Sequence, residues 1–400
     1  MFEDTTRMKK VKKYRSWKPL SATDLISLMY PCLFIYWILG FFPYKLEDSR
    51  FVLSKTRFTF TAFMMILYVI SLLMVIYATN FETVINNAQL ITYANLCIFL
   101  DGIVIVGMYM YTGKRLIVLQ SLSDVTSFLT PRDFDKLARF IHAKDIFGFF
   151  YLIAHLPNCF KGNMYLTLQN FSRLYVILAN FYTDMFYMNC VLTLKLCFKR
   201  IDVCLLKLKI LPRCDDLRMQ KSVYHRQKNP LLLMKLKEFE EKHLDISDVV
   251  ELLNNTFIVR IVTMTVSTFT VVTFNLYFHI LFTNSPDHYD MYFWYWQYIS
   301  PACFYMMNFS LIIWACETAT RQAQKIKTTL YDVFSDTTDP ATKREVQLFS
   351  LQVLHRNNIF SAKAIDVNAG LLLRIIGGIF MYIMILFQLL LGSNACKKTT

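Results

Sequence analysis

The chain has 400 residues, of which 55% are hydrophobic and only 18% charged, and this composition excludes an ordinary soluble domain. Its net charge of +14 invites a nucleic-acid partner. However, Lys and Arg flank apolar segments instead of covering one soluble surface, which excludes that class of partner. The sequence therefore predicts a polytopic protein of the lipid bilayer.

Eight apolar segments approach or exceed the ~20 residues that cross ~30 Å of hydrocarbon as a helix. They occupy residues 24–43, 58–79, 88–111, 140–160, 169–195, 256–283, 293–316 and 368–392. The first is interrupted by Pro31, Gly40 and Pro43, so we expect it to lie buried or at the inner interface without crossing. The other seven predict an all-α membrane protein with seven transmembrane helices.

The distribution of Lys and Arg predicts the orientation of these spans. The connections rich in both are 112–139, 196–255 and 317–367, and the poor ones are 80–87, 161–168 and 284–292. Seven spans place every rich connection on one side, together with the eleven Lys and Arg that precede residue 58. The N-terminus is therefore predicted to be cytoplasmic and the C-terminus extracellular. The opposite orientation is the alternative, and it places every strongly basic connection outside.

This topology divides the chain into seven parts. They are a cytoplasmic N-terminal region with the non-crossing segment (1–57), spans one to four (58–195), cytoplasmic helix extensions with a loop (196–255), spans five and six (256–316), further cytoplasmic helices (317–367), the seventh span (368–392) and an extracellular tail (393–400).

Apolar residues continue at heptad spacing beyond the spans, which predicts a cytoplasmic bundle of packed helices. The stripes are Cys190, Leu194, Cys197, Ile201, Cys204, Leu208 and Leu211; Leu236, Phe239, His243, Ile246, Val250, Leu253 and Phe257; and Ala319, Ala323, Ile326, Leu330 and Val333. A shorter helix is predicted at about 343–360, and a flexible loop at 212–230. We expect His243 to be a hydrogen-bonded packing residue. Amphipathic helices on the inner leaflet are the alternative.

The sequence contains no catalytic motif and no metal-ligand spacing, so we expect no enzyme, no cofactor and no metal site. "GMYMYTGKR", from Gly107 to Arg115, resembles a phosphate-binding loop. It has five residues between its glycines, and Arg115 stands where a hydroxyl would hold magnesium. The basic flank of a span explains this segment better.

Polar residues inside the spans are candidates for binding a small molecule, because such groups usually face a bundle interior or a wet cavity. The candidates are Asp184, Asn180, His155 and Asn95, with Tyr277 and Tyr298 as deeper aromatic walls. Structural packing is the alternative for each of them.

The last span carries a family resemblance. "MYIMILFQL", from Met381 to Leu389, resembles the TYxxxxxQF signature of insect gustatory receptors, in which Tyr382 and Gln388 match. Met381 stands in place of Thr and Leu389 in place of Phe. "ILGFFPY" before the first span and "MNCVLTLKLCFKRI" after the fourth extend the likeness, and the second is most similar to the lineage often called the twenty-eight group.

The resemblance implies a ligand-gated, non-selective channel for monovalent and divalent cations, gated by a small-molecule tastant in the plasma membrane of sensory neurons. It implies a homotetramer, or a hetero-oligomer with related receptors, whose pore is formed by the seventh span. Gln388 and Leu389 carry over as the outer pore constriction, and Leu389 in place of Phe changes the gating contact. A G-protein-coupled receptor and a secondary transporter are the alternatives.

Helical projection of the last span places Gln388 on a stripe that could face a pore axis. The stripe comprises Gly370, Arg374, Gly377, Met381, Met384, Gln388 and Leu391. Four Gln side chains around an axis would offer carbonyl oxygens to ions without fixed charge, which suits weakly selective conduction. The stripe and the family signature together give the pore candidates Gln388, Leu389, Met384, Met381 and Tyr382; Leu389 and Tyr382 come from the resemblance alone.

Overall fold

A computed structural model describes residues 18–47, 50–82, 88–154, 164–216, 230–283, 298–335, 340–363 and 365–399. Helices make up 87% of the described residues, which confirms the all-α prediction. The helices are α1 Leu25–Ile38, α2 Lys55–Tyr77, α3 Ala88–Met110, α4 Thr112–Val125, α5 Pro131–Ile153, α6 Met164–Asp216, α7 Pro230–Thr283, α8 Ser300–Ser335, α9 Pro340–His355 and α10 Ala369–Thr399. Two short antiparallel hairpins join β1 (Tyr44–Glu47) to β2 (Arg50–Leu53) and β3 (Ser361–Ala362) to β4 (Ile365–Asp366).

The first apolar segment forms α1, which is buried on one face against α5 and α6. Asp24 and Ser27 form a reciprocal capping box at its start. At its end Gly40 takes a φ of +80°, and the N–H of Phe41 donates to the carbonyl of Tyr36 at 2.9 Å. This Schellman motif requires the glycine, and it explains part of the "ILGFFPY" element. The 14 residues of α1 span only about 21 Å, less than the hydrocarbon thickness.

Three helices, α6, α7 and α8, are much longer than a membrane span, and α8 has 36 residues. α6 has 53 residues and α7 has 54, each about 80 Å long, so much of each helix projects beyond ~30 Å of hydrocarbon. The heptad stripes of α6, α7 and α8 are buried against one another and against α9 at nearly every position whose side chain is described, which confirms the predicted packing. Asp202 on α6 accepts a hydrogen bond from Thr329 on α8 at 2.6 Å. We call residues 196–216 of α6, 230–255 of α7 and 317–335 of α8, together with α9, the extension bundle.

Five helices of the described residues are long and apolar enough to cross a membrane. They are Lys55–Phe81, Ile91–Met110, Leu232–Leu281, Ser300–Asp332 and Ala369–Gly392. The predicted spans 140–160 and 169–195 are not among them. The first lies partly outside the described residues, and both carry charged side chains, such as Asp145 and Asp184, that lower their hydropathy.

The structure corrects two predicted boundaries. α6 continues across Pro212 to Asp216, and residues 217–229 of the predicted loop lie outside the described residues. The helix predicted at 343–360 instead runs from Pro340 to His355 and is followed by the β3–β4 hairpin.

Candidate functional site

A buried ion pair between α6 and α7 forms the polar centre of the helices. The Nε of Arg260 donates to Oδ1 of Asp184 at 2.7 Å, and Nη2 donates to Oδ2 at 2.6 Å. The two side chains are only 11% and 3% exposed. This bidentate geometry fixes the guanidinium in one orientation and balances its charge in a region without bulk water.

Amide side chains extend this ion pair to two further helices. Asn180 accepts from Nη1 of Arg260 at 2.9 Å and donates to Asp101 on α3 at 3.4 Å. Asn308 on α8 donates to Asp184 at 2.7 Å. The centre therefore connects α3, α6, α7 and α8 through one hydrogen-bonded network.

Asp184 and Asn180, two of the predicted ligand-binding residues, thus bind protein groups in this conformation. The cavity beside them has a volume of about 10 Å³, which holds about one water molecule. Arg260 is not among the residues predicted for the site. A lone Arg inside an otherwise apolar span was the available signal, because such a charge needs a buried partner.

The predicted residues Tyr277 and Tyr298 lie in a second apolar cluster with Tyr93 and Phe278. Tyr277 is fully buried, and its ring contacts Phe387 of α10 with ring centres 6.0 Å apart. This aromatic cluster therefore packs directly against the predicted pore helix.

Two predicted ligand-binding residues remain, Asn95 and His155. The Asn95 amide exchanges two hydrogen bonds with Asn80, at 2.9 and 3.1 Å, and this pair is not fully buried. His155 lies outside the described residues.

α10 packs through one face and leaves the other uncovered. Leu371, Ile379 and Ile383 are buried against the rest of the chain. Every member of the predicted stripe is exposed: Gly370, Arg374, Gly377, Met381, Met384, Gln388 and Leu391. Leu389 is also exposed, at 64%, and the half-exposed Tyr382 ring contacts Phe269 edge-on at 5.3 Å. All five pore candidates therefore lie on surface that one chain does not cover.

Comparison with known proteins identifies relatives of this architecture. A family model described as 7tm Chemosensory receptor matches residues 29–389. The insect olfactory receptor OR5 from Machilis hrabei in complex with eugenol has a similar fold, with a TM-score of 0.61 and 10% identity over 90% of this chain and 97% of that chain. The OR5 structure described without eugenol gives a TM-score of 0.56 at 9% identity, with the same coverage. Among curated proteins, none matches the chain.

Proposed function

Because the chain belongs to the 7tm Chemosensory receptor family, we propose that it is a gustatory receptor that acts as a ligand-gated, non-selective cation channel. The observation that carries the proposal is the exposed stripe of α10, which includes Gln388 within an apolar helix. An amide facing lipid would leave its donors and acceptor unsatisfied, whereas one facing a hydrated axis would not. Four copies of α10 around such an axis form the pore, with Gln388 near its outer mouth.

The orientation follows from the distribution of Lys and Arg. The N-terminus and the extension bundle lie in the cytoplasm, and the C-terminus lies outside. The bundle joins four subunits, as a homotetramer or with related receptors. The receptor conducts monovalent and divalent cations across the plasma membrane of sensory neurons, and it has no enzymatic activity.

The ligand is a small organic tastant that enters from the outer side. The OR5 structure is a complex with eugenol, a small aromatic molecule, which is consistent with this ligand class. The aromatic cluster around Tyr277 and Tyr298 supplies apolar walls, and Asn95 and Asn180 supply hydrogen-bonding groups. Since Asp184 is bound to Arg260, its role is to hold the helices around the pocket or to exchange partners when the ligand binds.

The decisive experiment expresses the chain alone in cells without other taste receptors and records whole-cell currents during a panel of sugars, bitter compounds and amino acids. We expect a tastant-evoked cation current that persists when G proteins are blocked by a GDP analogue in the pipette. Loss of the response under that block would identify a G-protein-coupled receptor. Substrate uptake without channel current would identify a transporter, and either result would overturn the proposal.

A further inference from the structure

A second polar cleft lies between α3, α4, α6 and α7, apart from the aromatic cluster and the pore helix. Its polar wall consists of Arg115, Arg260, Tyr111, Thr183, Thr256 and Thr263. Measured in the same way as the 10 Å³ cavity beside Asp184, the cleft has a volume of about 30 Å³. Two guanidinium groups and four hydroxyls thus surround one opening.

Arg115 is buried, and its hydrogen-bond partners among the described residues carry no charge. The residue is only 7% exposed. It donates to the hydroxyl of Tyr36 at 3.0 Å, to the hydroxyl of Thr112 at 3.1 Å and to the carbonyl of Met108. All three acceptors are neutral, and Arg115 forms no ion pair with any residue that the structure describes. Arg260, in contrast, is neutralised by Asp184.

A buried cation with only neutral partners is unfavourable, and an anion in the cleft would offset that cost. Between Lys55 and Asp124 the sequence has only two carboxylates, Glu82 and Asp101. Asp101 precedes Met108 by seven residues, about 10 Å along α3, and its described hydrogen bond is with Asn180. The contacts described above use three of the five N–H groups of Arg115, so two remain for a ligand.

We propose that this cleft binds a phosphate group, held by the two remaining N–H groups of Arg115 and by the Tyr111 hydroxyl, and that the phosphate belongs to an anionic membrane lipid. Phosphate oxygens accept several charge-assisted hydrogen bonds, and a guanidinium presents its donors in a matching geometry. The apolar span in α3 ends at Met110, next to the cleft, which places the cleft near the level of lipid headgroups. The proposal also assigns a role to the Gly107–Arg115 segment, since Gly107, Met108, Tyr111 and Arg115 all line the cleft.

The test measures thermal unfolding of the purified full-length receptor in a neutral detergent, because a ligand of the folded state raises Tm by mass action. Dioctanoyl phosphatidic acid is the probe, and dioctanoylglycerol has the same chains without the phosphate. We expect only the phosphatidic acid to raise Tm. Inorganic phosphate separates the two sources: a rise with phosphate alone would keep the anion site but overturn the lipid assignment.

Three variants make the test specific. Arg115→Gln removes the buried charge, and we expect at least about tenfold weaker binding. Gly107→Leu fills the cleft without changing charge, because a Cβ at Gly107 would already lie 3.6 Å from Val259. This variant should also lose binding. It tests the site even if Arg115→Gln does not fold. Arg139→Gln removes an exposed charge on α5, a helix that does not line the cleft, and should bind as the wild type does. No stabilisation of the wild type, wild-type binding by both cleft variants, or an equal loss in Arg139→Gln would each overturn the proposal.

Discussion

The ring of Tyr277 on α7 meets the ring of Phe387 on α10 edge to face, with ring centres 6.0 Å apart and planes inclined at 64°. Phe387 immediately precedes Gln388 in the sequence. The contact therefore joins the buried aromatic cluster to the segment that we propose lines the outer pore. A ligand that shifts Tyr277 would move the backbone next to Gln388.

Replacing either ring should change gating. We expect Tyr277→Leu or Phe387→Leu to shift the half-maximal tastant concentration by about 2- to 10-fold, because an aromatic pair contributes about 0.5–1.5 kcal/mol beyond its burial. Dose–response currents measure the shift, and the double variant should shift no further than the larger single effect. Phe63→Ala is the control, since Phe63 lies 56% exposed on α2. Additive effects of the two substitutions would show that the contact does not couple ligand to pore.

Gln388→Ala should alter ion permeation. In the proposed tetramer, this substitution removes four amides from the outer constriction and would change the relative permeability of monovalent and divalent cations, or the block by a pore-blocking cation, while the oligomer stays assembled. Reversal potentials under bi-ionic conditions and size-exclusion chromatography measure these two properties. Phe380→Ala, an exposed position of α10 off the stripe, should leave selectivity unchanged. If Gln388→Ala keeps the wild-type selectivity and block, Gln388 does not lie at the constriction.

Breaking the Arg260–Asp184 pair should strongly destabilise the receptor. Arg260→Met leaves a buried carboxylate without its cation, at a cost of about 3–5 kcal/mol, whereas the double variant Arg260→Met with Asp184→Leu removes both charges and should recover much of that loss. Thermal unfolding in detergent measures both.

The exposed pair of Arg321 and Glu317 provides the control for this experiment. Arg321→Ala should change stability by less than about 1 kcal/mol, because the Arg321 side chain is 70% exposed. A double variant as unstable as Arg260→Met alone would show that packing, and not charge balance, determines the effect.

The sequence predicted which face of a helix is buried better than it predicted which residues of neighbouring helices contact one another. The stripe from Leu236 to Phe257 identified the buried side of α7, because heptad spacing follows directly from helix geometry. The exposed stripe of α10 followed from the same geometry. The pairing of Arg260 with Asp184 did not, since helical periodicity carries no information about which residues of two distant helices lie at the same depth. The two hairpins were missed because strands of two to four residues have too few positions for a period-two pattern to appear.

His243 was predicted to be a packing residue, and its burial has an electrostatic consequence that can be tested. It is fully buried in the extension bundle, with Gln352 at 3.2 Å from Nδ1 and Asn358 at 3.5 Å from Nε2. These contacts confirm the predicted role as a hydrogen-bonded packing residue. Burial, and secondarily the positive charge of Arg356, lowers the pKa of His243 from 6.5 to about 4.

The lowered pKa should make the receptor less stable in acid. Between pH 6.5 and about 4 the unfolded chain binds a proton that the folded chain does not, so the free energy of unfolding falls as the pH drops through this window. The loss attributable to His243 is on the order of 3 kcal/mol.

Thermal unfolding at pH 7.5, 6 and 4.5 should therefore show a steeper decline for the wild type than for His243→Gln, which cannot take up the proton. The two proteins contain the same carboxylates, so the difference in slope isolates the imidazole. His355→Gln, at an exposed position at the end of α9, should keep the wild-type slope. Equal slopes for the wild type and His243→Gln would show that this imidazole does not carry the acid sensitivity.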